Sequence, residues 1–361
     1  MVRRVVLHVG TMKSGTSFLQ TLLFEQKAHL AEAGVLVPGA AWGAQASAVR
    51  AILGPPRGRG AWDSLTEEIA EHHGDAVVSM EFLGPINDKA ADRVLSSFKG
   101  MEVQVVVTAR DLNRTLVSMW QETIQNGRSW TWEEYLAGAR ETAPGGRRGS
   151  QDKVTAGGTF WRQQHLSRIL GDWAGRVGAG NVTLVTVPRP GAAPSTLTDR
   201  FARATGLPLD PHLPVARANE SLGLASTLVL RDLNAGLAER GFDGGDGQGL
   251  RKRMIAKRSL AALAADEPRL GLPVEEWVRR QTDATINRIV ALGVGVVGDL
   301  ADLDPIEVPG VGVEDVSTED RLRAATVALV EAVSRHPGVR GDRAKRNESA
   351  SERRRRRAEE A

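Results

Sequence analysis

The sequence contains no cysteine. Disulfides, thiolate nucleophiles and cysteine-ligated zinc or iron–sulfur centres are thereby excluded. Aromatic residues make up 4% of the 361, with one tyrosine, against 39 glycines. Such a composition predicts generous loops. No apolar run approaches the roughly 18–20 residues that span a bilayer, so no membrane span is expected. Excess charge is also scarce, with 47 Lys and Arg against 44 Asp and Glu, a net +3. Residues 341–361 carry eight basic and five acidic side chains and account for all of that excess. The balanced remainder gives no warrant for a nucleic-acid partner. Within the tail, Arg353 to Arg357 form a basic block flanked by acids and lacking aromatics, which reads as a solvated segment.

What is present is an ordinary globular mix, 41% apolar and 25% charged, long enough for a substantial core. Arg3 and Arg4 precede the apolar run Val5–Val9 and mimic the basic end of a signal peptide. The run is broken at His8 and reads better as a first strand, so a cytoplasmic protein is expected. A helix is expected over 16–33 and a short strand at 35–37. Residues 38–60 read as loop, with a helical turn or two at 47–53. A helix at 62–73, a strand at 76–80 and a helix at 87–98 follow. The strongest strand in the chain is 103–109, followed by a helix at 112–125. Buried strands separated by crossover helices define an α/β fold with a central parallel sheet in three layers.

Farther on, a helix at 130–139 leads to a Gly-rich basic loop at 141–158. A helix at 160–174, a strand at 181–187 and a helix at 195–205 come next. The rest reads as helical, over 219–238, 251–265, 273–292 and 319–334, with 293–318 unassigned. One domain over 1–337 is expected, its α/β part ending near 210 and its helical part covering 211–337. Residues 338–361 are expected to be disordered.

The sharpest local feature is the turn Gly10-Thr11-Met12-Lys13-Ser14-Gly15-Thr16-Ser17 between the first strand and an apolar helix. Its backbone N–H groups and the helix N-terminus form a cradle for an anion, over which Lys13 places a charge. A plain capped turn would look similar. A nucleoside-triphosphate loop needs G-x-x-x-x-G-K-[ST]; Gly10 and Gly15 have the spacing, but Thr16 holds the lysine position. A second feature follows the strongest strand. Arg110 stands at its end and Ser118 eight residues later on the next helix, offering a rigid guanidinium fork and a hydroxyl to phosphate oxygens. Arg114 reads as a solvated charge and Asp111 as a helix N-terminal carboxylate.

With these segments the sequence resembles the superfamily of sulfotransferases that use 3′-phosphoadenosine-5′-phosphosulfate (PAPS). Their 5′-phosphosulfate loop reads approximately P-K-S-G-T-T-W; here Met12, Ser17 and Phe18 replace the proline, second threonine and tryptophan. Their 3′-phosphate signature is an arginine at a strand end and a serine eight residues on. The R-K-G motif of animal cytosolic members is absent, which points to a divergent bacterial-type branch and leaves a third phosphate contact unassigned. The resemblance implies a P-loop-like fold and PAPS as donor, bound by Lys13, Ser14, Gly15, Thr16, Ser17, Arg110 and Ser118. It also implies a base near the end of the strand that precedes Arg110. Glu81, just past Val77–Met80, fills that place, with a capping or ion-paired glutamate as the plain alternative.

Arg162 is a further candidate for the phosphates, while Trp161 reads as core. Asn219 reads as a helix cap, with Ser221 in the first turn. His8 is expected inside and hydrogen-bonded; His29, His72, His73, His165, His212 and His336 form no constellation, and no metal is expected. The implied activity is transfer of a sulfuryl group to a hydroxyl, less readily an amine, of a small-molecule or glycan acceptor. Few aromatics weigh against a flat aromatic acceptor. A Mg²⁺-ATP kinase using Gly10–Ser17, and a silent nucleotide-binding protein, are the rival readings.

Overall fold

The computed structural model describes residues 3–54, 60–145, 154–213, 222–242 and 249–335. Asn219, Ser221, His336, the centre of the Gly-rich loop and the basic tail lie outside these residues. Two compact units emerge. Among the described residues, the first holds 3–119, 132–213 and 272–308, and the second 120–131, 222–271 and 309–335.

The first unit is built on a six-stranded sheet: β1 (Arg4–His8), β2 (Val35–Leu36), β3 (Asp75–Ser79), β4 (Glu102–Ala109), β5 (Val182–Thr186) and β6 (Gly295–Val297). Their order is β2-β3-β1-β4-β5-β6, and every pairing is parallel. Because side chains alternate along a strand, β1 sends Val5 and Leu7 to one face and Val6 to the other. The first face is covered by α3 (Trp42–Leu53), α4 (Gly60–Glu71), α5 (Asp88–Ser96), α9 (Leu166–Val177) and α12 (Glu276–Leu292). The second is covered by α1 (Thr16–Glu25), α2 (Lys27–Glu32) and α10 (Thr196–Thr205). Helix, sheet and helix make three layers; the helices between successive strands make the sheet parallel and cover both its faces, which is why the strands are β-branched and apolar.

Several elements depart from the sequence expectation. The helix expected over 16–33 breaks at Gln26, whose buried amide clasps the Asp210 backbone, donating to its carbonyl at 2.7 Å and accepting from its N–H at 2.9 Å. Residues 42–53, read mostly as loop, form α3; its buried face mixes Gln45 and the small Ala46 and Ala48 with Val49 and Ile52, which pack into the core. The helix expected over 160–174 divides at His165 into α8 (Ala156–Gln164) and α9, because the ring Nδ1 of His165 accepts the Arg168 N–H and caps α9. Gly157 and Gly158, assigned to a loop, open α8. There Gly157 abuts Gly138 of α7 (Trp132–Glu141), where a Cβ would lie 2.2 Å from the Gly138 carbonyl oxygen.

The second unit is largely helical: α11 (Leu224–Glu239), a π-helical stretch Gly249–Ser259, a 3-10 turn Leu260–Leu263 and α13 (Thr318–Arg335). Together with α12, they make the latter part of the chain mostly helix, as the sequence suggests. Asn234 fastens the unit by donating to the carbonyls of Ile124 and Arg128, each at 2.8 Å. Among the described residues no helix is long and apolar enough to cross a membrane.

Candidate functional site

At the carboxyl ends of β1, β3 and β4 the chain gathers the residues singled out above. This edge of an open parallel sheet is where ligands bind in α/β folds generally. The loop after β1 carries left-handed backbone at Gly10 (φ 33°), Lys13 (φ 65°) and Gly15 (φ 80°). Lys13 is the one non-glycine residue with positive φ among the described residues. A side chain in that region costs on the order of 1–3 kcal/mol, which persists where the surroundings over-determine it. Thr11 pins the loop to β4 through its N–H and hydroxyl, both donating to the Thr108 carbonyl, at 2.8 and 3.3 Å. Gln164 holds the other side, its amide donating to the Met12 carbonyl at 2.9 Å.

The loop runs straight into α1, which has Gly15 as its N-cap and no side chain capping its first turn. The leading N–H groups of a helix left without a side-chain cap favour an anion. Ser17 is exposed there, Lys13 is half-buried and Thr16 is buried. Ser14 is turned fully inward, its hydroxyl donating to the Thr11 carbonyl at 2.6 Å and meeting the Thr108 hydroxyl at 2.7 Å. What Ser14 can offer a ligand is therefore its backbone N–H.

Arg110 follows β4, and Ser118 lies on α6 (Leu112–Gln125). One guanidinium nitrogen, Nη2, donates to Ser118 Oγ at 2.6 Å and to the Arg114 carbonyl at 2.9 Å. Burial lowers the Arg110 pKa to about 10, with the Arg114 charge adding and Asp111 opposing, so the group stays cationic at neutral pH. Its Nε is buried with no partner among the described residues. A buried guanidinium with an unpaired donor is costly unless an anion completes it. Arg114 is ion-paired with the fully buried carboxylate of Asp111 rather than solvated. Asp111 accepts the Arg114 N–H at 2.9 Å, capping α6.

Glu81 begins a 3-10 turn directly after β3. Its Oε2 accepts from the amide of Gln20 at 2.7 Å, and the same amide donates to the Ser79 carbonyl at 3.2 Å. A buried glutamine of α1 thus orients the carboxylate. Arg162 sits on α8 with its Nε buried and unpartnered among the described residues; burial and the Arg168 charge lower its pKa.

A cleft of about 450 Å³, counted to its open mouth, adjoins Thr11, Arg110, Thr115, Trp161, Gln164 and Thr282. Arg162 is not on its wall. Trp161 is both core and wall: its indole donates to the Ala139 carbonyl at 2.7 Å and its ring meets Phe160 edge-on. Thr282 Oγ1 is a second buried polar atom on this wall without a partner among the described residues. Among the described residues no three His, Asp or Glu side chains converge as metal ligands do. The sequence reading did not single out Gln20, Thr108 or Gln164. Thr108 carried only the signal of a polar residue near the end of an apolar strand, while Gln20 and Gln164 lie on α1 and α8, so only the folded chain brings them beside the loop.

No protein-family model matches the chain, and no curated protein matches it. Among solved structures it is similar to a sulfotransferase from Alicyclobacillus acidocaldarius, at 13% identity and a TM-score of 0.38 over 67% of this chain and 98% of that one. The likeness is a distant structural one; the functional reading rests on the side chains of the site itself.

Proposed function

We propose that this chain is a sulfotransferase that takes PAPS as donor and passes the sulfuryl group to a hydroxyl, less readily an amine, of a small-molecule or glycan acceptor. The observation that carries the reading is the Arg110–Ser118 pair, bonded at 2.6 Å beside an uncapped helix N-terminus. One cation site and one N–H cradle at the same sheet edge suit a ligand with two separated phosphate groups. The Arg110 Nε, with no partner among the described residues, is a donor open to such a ligand.

In this P-loop-like reading, Lys13 and the N–H groups of Ser14 to Ser17 hold the 5′-phosphosulfate, while Arg110 holds the 3′-phosphate, steadied by Ser118, whose own hydroxyl donates to the Arg114 carbonyl at 2.8 Å. Arg162 is a further cation for the donor, and the adjoining cleft receives the rest of it. PAPS supplies an activated sulfuryl group. The acceptor oxygen bonds to sulfur as the bond from sulfur to the bridging phosphate oxygen breaks. The acceptor proton passes to Glu81, which Gln20 holds in one orientation. Charge growing on the departing phosphate is met by Lys13 and the helix N-terminus, which are in place before the reaction.

The test is release of adenosine 3′,5′-bisphosphate from PAPS in the presence of a panel of alcohols, saccharides and amines. Glu81→Gln is the control. Acceptor-dependent release that the variant loses supports the reading; no release with any acceptor contradicts it.

A further inference from the structure

His8 lies at the end of β1, directly across from Ser79 of β3 and two positions short of the loop's Gly10. Its ring is fully buried on the face covered by α10, edge-on to Phe201 with centroids 5.0 Å apart. Both ring nitrogens are engaged by hydroxyls: Nδ1 lies 2.7 Å from Ser79 Oγ and Nε2 lies 3.1 Å from Thr108 Oγ1. Thr108 Oγ1 in turn meets Ser14 Oγ, which meets the Thr11 carbonyl.

One assignment of protons satisfies the whole chain. The carbonyl of Thr11 can only accept, so Ser14 spends its single proton there. Ser14 then accepts from Thr108, and Thr108, its proton used, accepts from His8. Nε2 therefore carries the ring proton, and Nδ1 accepts from Ser79. Four hydrogen bonds point one way, from the end of β3 to the loop after β1. The Ser79 carbonyl also accepts from Gln20, whose second amide proton goes to Glu81.

We infer that His8 is a positioning residue, whose Nε2–H bond to Thr108 fixes Ser14 and with it the shape of the loop that meets the anion. Burial, which holds its pKa at about 3, keeps the ring in the neutral form that one donor and one acceptor require. Gly10 passes over this bond: a Cβ there would stand 3.1 Å from Thr108 Oγ1 and 3.4 Å from His8 Nε2. The inference rests on the reading of this loop as an anion cradle for its consequence, though not for its geometry.

The test separates the two ends of the ring. In His8→Gln the amide nitrogen falls about where Nε2 lies and can donate to Thr108. In His8→Asn it falls near Nδ1 and reaches only Ser79. Two readouts are taken: hydrogen exchange of the amides of residues 11–16, and calorimetric affinity for adenosine 3′,5′-bisphosphate. His8→Asn is expected to speed loop exchange at least about tenfold and weaken the bisphosphate about tenfold, with His8→Gln within about threefold of wild type in both. Thr108→Val and Thr108→Ser repeat the contrast from the other end should His8→Asn not fold; the serine restores the hydroxyl and both readouts. Equal effects of Gln and Asn, or of Val and Ser, would overturn the inference. Loop exchange that splits as expected in a protein that never binds the bisphosphate leaves the positioning role standing and removes the proposed function.

Discussion

Arg110 and Ser118 stand eight residues apart in the sequence, one at the end of β4 and the other two turns into α6, and their side chains are joined by a 2.6 Å hydrogen bond. The α-helix brings the hydroxyl back over the strand end, and the Arg114 carbonyl holds the same guanidinium nitrogen at 2.9 Å. The fork is thus set in place by two acceptors while its Nε remains without one. That combination separates stability from binding. Arg110→Ala is expected to change thermal stability by no more than about 1 kcal/mol, because removing a buried unpaired donor offsets the lost bonds. It should weaken adenosine 3′,5′-bisphosphate more than tenfold. Ser118→Ala, which leaves the Arg114 anchor, should cost about threefold. Calorimetry beside thermal unfolding checks both.

Lys13 adopts a backbone conformation, φ 65°, that glycine takes without penalty. Lys13→Gly should leave the melting temperature unchanged or raise it, by up to about 1 kcal/mol of stability. The same variant should lose roughly tenfold in affinity for a phosphosulfate analogue, because the charge is gone. A fall in both would mean that the lysine is there for packing.

Glu81 and Gln20 should separate in kinetics. Glu81→Gln is expected to bind donor product within about twofold of wild type and to lose at least about 100-fold in turnover. Gln20→Leu, which frees the carboxylate from its 2.7 Å donor, should lower kcat about tenfold with KM for the donor little changed.

Two histidines, His8 fully buried and His165 half-buried, contribute to the response to acid. Burial pushes His8 down to about 3, and burial with the Arg168 charge pushes His165 down to about 4. Both bind a proton more readily in the unfolded chain, near pH 6.5. Stability is therefore fully present above pH 6.5 and falls as pH drops, through about 4 for His165 and about 3 for His8. His8, the more strongly depressed of the two, carries the loss furthest into acid. Urea midpoints measured from pH 7 to pH 4 should decline for wild type and less steeply for His8→Gln.

Val-rich runs announced β1, β3, β4 and β5, since a strand buried on both faces has nothing to spend polar residues on until it ends. The helix over 112–125 was legible from its apolar spacing, and the Arg110–Ser118 spacing fixed a relation that one helix enforces locally. What escaped depends on partners distant in sequence. The break at Gln26 is made by Asp210, and the buried face of α3 mixes Gln45 and alanines with Val49 and Ile52, which blurs its periodic signal. The three residues of β6 become a strand only beside β5. Likewise Ser14 looked like a ligand contact until the Thr108 hydroxyl, 94 residues away, claimed its side chain. His8 was recognisable as an internal hydrogen-bonded histidine, but its partners came from two other strands.

The proposed function requires this sheet edge to read a 3′-phosphate as well as a 5′-phosphate group. Calorimetric titration with adenosine 3′,5′-bisphosphate, then with ADP and with ATP in the presence and absence of Mg²⁺, tests it most directly. A donor site of this kind should give Mg²⁺-independent binding of the bisphosphate at least tenfold tighter than ADP, about 1.4 kcal/mol, with the advantage abolished by Arg110→Ala. Tightest binding of ATP with Mg²⁺, indifferent to a 3′-phosphate and to Arg110, would contradict it and assign the loop to a phosphoryl-transfer enzyme instead.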